Sequence, residues 1–324
     1  MSILNVENVS HGFGFNMLAS YNLQSTFSAY SFYNPGYSPW IIGGILAAFV
    51  LYCLLGGGKR ILKVTGFLVP IMGVIYVAVA IFITIKNAYL LPEVFSRIFV
   101  EAFYFKAIFG GFSGSCVMYG IKRGLFSNEA GVGSAPNASA SAEVSHPVTQ
   151  GLVQILSVFI DTVLICTATA FMCLCSGVLP KEALSGAPYI QEALGSALGS
   201  VGPVFITLAM ILFAFTTLLG NLFYVDQCWF YLFGKLPSDK FKITYHVIAS
   251  LVVFVGAGLS ADLLWGIADI TMGMMALINL PAIFILSKYA FRALADFEKK
   301  RNSGEKLTFK AKDIGLPHDV DCWK

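Results

Sequence analysis

Apolar residues run through this chain in long, nearly uninterrupted blocks, with charged and turn-forming residues gathered between them. Blocks of spanning length fall at 12–32, 41–57, 62–86, 98–121, 148–178, 203–234, 243–259 and 263–290. A helix needs about 20 predominantly apolar residues to cross the hydrocarbon of a bilayer, so the pattern predicts about eight transmembrane helices and an all-α membrane protein. The block at 12–32 is rich in Ser, Asn and Tyr and reads as a helix surrounded by other helices rather than by lipid. The block at 41–57 is short, near the lower limit for spanning.

Composition agrees with this pattern. Hydrophobic residues make up 57% of the 324 positions and charged residues 12%, about half the roughly 25% of an ordinary soluble domain. Too little polar surface remains to cover a water-soluble particle, which excludes a soluble Rossmann or barrel enzyme and a disordered chain. The net charge of +3 and the absence of interleaved basic and aromatic residues give no sign of nucleic-acid binding. The seven cysteines form no CxxC pair and no metal-ligand spacing, so no cofactor is expected. Residues 1–16 lack the basic start and apolar core of a signal peptide.

Orientation follows from the basic residues. Lys59, Arg60, Lys63, Lys122, Arg123, Lys235, Lys240, Lys242, Lys288, Arg292, Lys299, Lys300 and Arg301 lie at one set of span ends; Lys86, Arg97, Lys106 and Lys181 lie at the other. Thirteen against four places the first set, the C-terminus and, with eight spans, the N-terminus in the cytoplasm. The Asn137 sequon then lies on the cytoplasmic side, where it is not glycosylated.

Candidate chemistry sits where the apolar pattern breaks. Phe109 to Ser115 reads FGGFSGS, poor helix material in mid-membrane. It is either an unwound hinge whose backbone binds a small zwitterion or cation, or a place where helices pack closely on small residues. Asp161, in the fifth block, costs about 2.5–3.5 kcal/mol to place in a membrane. It reads as a cation or proton site, or as a helix-pinning group bonded to Thr162 or Thr167. Thr216, Thr217, Asn221 and Asp226 interrupt the sixth block, and Thr217 and Asn221, four apart, share a helix face. Their uncharged oxygens suit a sodium ion or an amino-acid head group, with bonding between helices as the alternative. Asn22, Gln24, Asp269 and Asn279 are further candidates of this kind, whereas His246, near an interface, reads as structural. The loop from Arg123 to Pro136 lacks the GxxxxGK[ST] of a phosphate-binding loop and reads as a tightly packed turn.

The order of these breaks resembles the alanine or glycine:cation symporter family. The most specific stretch runs from Lys122 to Gly177, with RGLFSNEAG, HPVTQG and FIDT; supporting stretches are Gly56 to Val77, FAFTTLLGN at Phe213 to Asn221, and Trp265 to Pro281. The resemblance implies a LeuT-like inverted-repeat fold of the amino acid-polyamine-organocation superfamily, with a carrier domain at 1–290. A partial first repeat occupies about 1–86, a complete second repeat about 98–290, and a cytoplasmic tail follows at 291–324. It implies sodium-coupled symport of alanine or glycine across the plasma membrane by alternating access, and no enzyme activity. The substrate is expected on Asn22, Gly111, Gly114, Thr217 and Asn221, and sodium on Thr216, Thr217 and Asp161. The family carries two more core helices upstream, so the chain is read as an N-terminally truncated member, and a transport-inactive fragment is the alternative. Many members place Trp where this chain has Asn221; the smaller residue leaves room for glutamine. An intramembrane aspartyl protease is disfavoured, because Gly256-Ala257-Gly258 stands too far from Asp262 for a GxGD motif.

Overall fold

Backbone N–H and C=O groups in hydrocarbon have no water to bond, so each long apolar block closes its hydrogen bonds within itself as a helix. The structure, a computed structural model, describes residues 2–102, 112–179, 181, 186–235, 237–316 and 323, and no strand occurs among them. Its helices are α1 (Ser2–Ser25), α2 (Ser38–Leu55), α3 (Gly57–Lys86), α4 (Leu91–Ala102), α5 (Phe112–Asn128) and α6 (Ala135–Ser139). They continue as α7 (Pro147–Phe159), α8 (Cys166–Leu174), α9 (Ala187–Leu198), α10 (Val201–Phe233), α11 (Asp239–Ala257) and α12 (Ala261–Asn302). A single π-helical turn, Ile160–Ile165, joins α7 to α8 into one rod.

Six described segments are long and apolar enough to cross a membrane: Ser38–Leu55, Lys63–Lys86, Pro147–Leu174, Val201–Phe233, Asp239–Ala257 and Ala261–Asn302. The polar first block is also helical, as α1. Part of the fourth block, 103–111, lies outside the described residues. α12 runs on past position 290 to Asn302.

Helix ends follow local chemistry. α7 begins with Pro147 in its first turn, behind His146, whose ring accepts the Val148 N–H at 3.2 Å. α11 is capped by Ser238, whose hydroxyl accepts the Phe241 N–H. α10 stops at Gly234, whose φ of 62° is the left-handed conformation that ends helices cheaply.

α1 sits at the centre, against α2, α10, α11 and α12. One core joins Leu23 to Val50, Leu54, Leu218, Leu222 and Val253, and another joins Phe15 and Leu18 to Val132, Leu264 and Met275. Lipid tails are as apolar as leucine, so association of these helices rests on close packing. Gly256 supplies it: a Cβ there would lie 2.4 Å from the Met17 Cα, so α11 and α1 touch at the backbone. Large apolar side chains such as Phe49, Phe67, Ile155, Leu156 and Phe284 stay exposed on the outer faces, as a lipid-facing surface requires.

Candidate functional site

A cavity of about 520 Å³ opens between α3, α10, the loop after α5 and the π turn. Ile61, Thr65, Val69 and Met72 of α3 form one wall, and Thr216, Thr217, Gly220, Asn221, Phe223 and Tyr224 of α10 another; Glu129 and Asp161 complete it. Four of the residues singled out in the sequence, Asp161, Thr216, Thr217 and Asn221, therefore meet in one space. Two carboxylates face it, and no lining residue is Lys, Arg or His. Polar oxygens and two acidic side chains without Lys, Arg or His are a composition suited to a cation.

The π turn places Asp161. Widening the helix by one residue per turn turns its side chains relative to an α-helix, a distortion common at functional sites. Asp161 Oδ2 accepts the Ser127 hydroxyl at 2.5 Å, which ties the rod to the end of α5. The partner is Ser127, rather than the neighbouring threonines that the sequence suggested. The hydroxyl of Thr162 is buried and makes no hydrogen bond with the described residues. On α10, Thr216 donates its hydroxyl to the Leu212 carbonyl at 2.9 Å, so its proton is spent inside its own helix while the oxygen lone pairs stay available to a cation. Asn221 donates to Asn16 Oδ1 of α1 at 3.0 Å.

Glu129 is the site residue that sequence reasoning missed. It follows α5 with a φ of 51°, left-handed for a non-glycine residue, and is succeeded by Gly131 and Gly133, also at positive φ. This turn folds the carboxylate inward, where it accepts the Ser134 hydroxyl. Burial pushes the Glu129 carboxyl above its ordinary range; the Ser134 bond works the other way and the nearby Asp161 charge adds to the rise. The signal available in the sequence was a lone acid among small residues in SNEAGVGS.

Other candidates lie elsewhere. Asn22 stands across from Gly186, ahead of α9, and is not among the lining residues. Gly111 lies outside the described residues, and Gly114 belongs to α5. Gln24 accepts the Tyr33 hydroxyl at 2.8 Å. Asn279 donates to the Gly131 carbonyl at 2.9 Å and so braces the Glu129 turn. Asp269 pairs with Arg123 at 3.0 Å and Lys122 at 3.7 Å, with the guanidinium 4.0 Å above the Trp265 ring. Asp226 lines a second cavity of about 730 Å³ between α2, α10 and α11, where it accepts from Tyr245 and lies 3.2 Å from His246 Nε2.

Residues 2–311 match the family described as the sodium:alanine symporter family. The chain belongs to this family. It is 39% identical over 285 residues to the amino-acid carrier protein AlsT of Bacillus subtilis, a match covering 88% of this chain and 60% of that protein. It is 39% identical over 318 residues to the probable sodium/glutamine symporter GlnT of the same organism, covering 97% and 64%. It is 38% identical over 277 residues to the sodium/alanine symporter AgcS of Methanococcus maripaludis, covering 84% and 60%. The chain thus spans about 60% of the length of these relatives. The family and these relatives are transporters, not enzymes, and the six long apolar helices make this chain a multi-pass membrane protein.

Proposed function

We propose that this chain carries out sodium-coupled symport of a small neutral amino acid by alternating access. The observation that carries the reading is the cavity, lined by no Lys, Arg or His, that Asp161 and Glu129 share with Thr216, Thr217 and Asn221 of α10. Sodium is held by the hydroxyl oxygens of Thr216 and Thr217 with Asp161 supplying charge. The substrate binds beside it, on Thr217 and Asn221. Alanine and glycine are the first candidates and glutamine the next: one relative is named a glutamine symporter, and Asn221 is a small polar wall. Sodium entering down the gradient contributes about 2.3 kcal/mol per charge per 100 mV to the work.

The architecture that goes with this reading is the LeuT-like inverted repeat, with about eight spans, repeat segments at about 1–86 and 98–290, and a tail at 291–324. The thirteen-to-four basic asymmetry supports a cytoplasmic C-terminus, and the plasma membrane is the location that goes with amino-acid uptake. The test is uptake of labelled alanine, glycine and glutamine into proteoliposomes, with and without an inward sodium gradient. Gradient-driven accumulation of at least one of them is expected. Uptake indifferent to sodium would overturn the coupling, and no uptake of any of the three would overturn the carrier reading for this chain.

A further inference from the structure

The HPVTQG element and the segment after α12 take no part in the cavity, yet they meet. His146 is completely buried, with 0% of its surface exposed. Its Nδ1 accepts the Val148 N–H, so the ring proton sits on Nε2, which donates to Asp296 Oδ2 at 3.3 Å. Phe297 and Phe309 stand edge-on to the ring at 5.1 and 4.9 Å. The same Asp296 oxygen accepts Lys300 Nζ at 2.7 Å. Lys300 reaches on to the Thr308 carbonyl at 2.9 Å and to the Asp313 carboxylate at 3.6 Å. Arg292 donates to the Ile314 carbonyl at 3.2 Å. Past Asn302 the chain therefore turns back, through Gly304 at a φ of 68°, and lies along the end of α12 with Phe309 and Ile314 packed against Ala293 and Val148.

This matters for the rod. α7 exposes Leu152, Val153, Ile155 and Leu156, and α12 is the neighbour it meets at its His146 end. The same helix leads into the π turn that carries Asp161, about 22 Å from His146 at 1.5 Å per residue. A helix that is hydrogen-bonded throughout transmits a shift at one end to the other.

We propose that residues 308–316 form a latch: through Lys300 and Asp296 they pin His146, and hence the start of α7, to α12, and opening the latch lets the rod bearing Asp161 move and weakens cation binding in the cavity. His146 and Lys300 are positioning residues in this scheme. The second half of the proposal rests on the reading of Asp161 as part of the cation site.

Two variants open the latch differently. Lys300→Ala removes the polar links from Asp296 to Thr308 and Asp313, leaving the Arg292 bond and the Phe309 packing in place. His146→Asn keeps an oxygen that caps α7 but is too short to reach Asp296. Three readouts on the purified chain separate the possibilities. Trypsin should cleave at the exposed Lys306, Lys310 or Lys312 about tenfold faster in both variants, since cleavage follows local opening. The pulsed-EPR distance between spin labels at the exposed Ile155 and Phe284 should broaden. The sodium concentration giving half the full thermal stabilisation should rise about fivefold, the low end of coupling between sites. Unchanged trypsin rates or an unchanged label distance would overturn the latch. A broadened distance with unchanged sodium dependence would make the segment a structural brace and overturn the coupling. An unmodified chain that gives no sodium response fails the cation-site reading instead, and the trypsin and distance results still decide the latch.

Discussion

Asn221 of α10 donates its side-chain amide to Asn16 of α1 at 3.0 Å, joining two residues 205 positions apart at the edge of the cavity. Asn16 is 1% exposed, and its own amide nitrogen has no partner among the described residues. Asn221→Ala therefore leaves a buried amide unbonded at both ends, which costs about 1–3 kcal/mol. Asn16→Ala removes the buried amide itself and should cost less. The expected order of melting temperatures in detergent is unmodified chain, then Asn16→Ala, then Asn221→Ala; the reverse order for the two variants would show that the unbonded Asn16 amide is not the main cost, and melting unchanged in both would show that the pair does not stabilise the fold.

Asp161 and Ser127 offer the second test. A unit charge about 4 Å from a cation is worth roughly 4 kcal/mol at an effective dielectric of about 20, and a tenfold change needs only about 1.4 kcal/mol. Asp161→Asn should therefore raise the half-saturating sodium concentration at least tenfold in uptake assays. Ser127→Ala leaves the charge and removes one bond that orients it, so a smaller shift of the same sign is expected. A variant pair with identical sodium dependence would remove Asp161 from the cation site.

Glu129 makes a pH prediction whose sign can be worked out. Its carboxyl titrates above the ordinary value in the folded chain, first because it is buried and then because Asp161 is near, against the pull of the Ser134 bond. A raised folded value means that the folded state holds the proton more tightly. The stability it contributes is complete below the unfolded value and is lost as pH rises through the folded one. Melting temperature should accordingly step down across that window, and Glu129→Gln, which mimics the protonated form, should abolish the step. Equal pH profiles for the two would contradict the assignment.

Packing gives the fourth. Gly256→Ala drives a methyl group to 2.4 Å from the Met17 backbone, where neither helix has a flexible end to yield. A loss of about 1–3 kcal/mol is expected from overpacking. Gly73→Ala on α3 is the control, because nothing lies within 4 Å of its Cβ position and alanine favours a helix by up to about 1 kcal/mol. Thermal unfolding of the two variants side by side checks both signs.

Much of this was open to reading from the residues in order. The long helices were legible because a helix in hydrocarbon needs only partners four residues away, so an apolar block predicts its own structure. The polar character of 12–32 announced a helix at the centre of the bundle, and α1 sits there. Asp161, Thr216, Thr217 and Asn221 stood out because each is costly in lipid, and all four line one cavity. Partners were not legible. Ser127 for Asp161, Asn16 for Asn221, Asp296 for His146 and Tyr245 for Asp226 lie 19 to 205 residues away. Glu129 stayed hidden because it sits in a loop with no period to break. Which segments are helices and which polar groups need a purpose can be read along the chain, since both follow from the local cost of backbone and charge in lipid. What those groups face is a matter of packing: the rotation and separation of each helix are set by close contacts such as Gly256 on Met17, made between residues that no local pattern links.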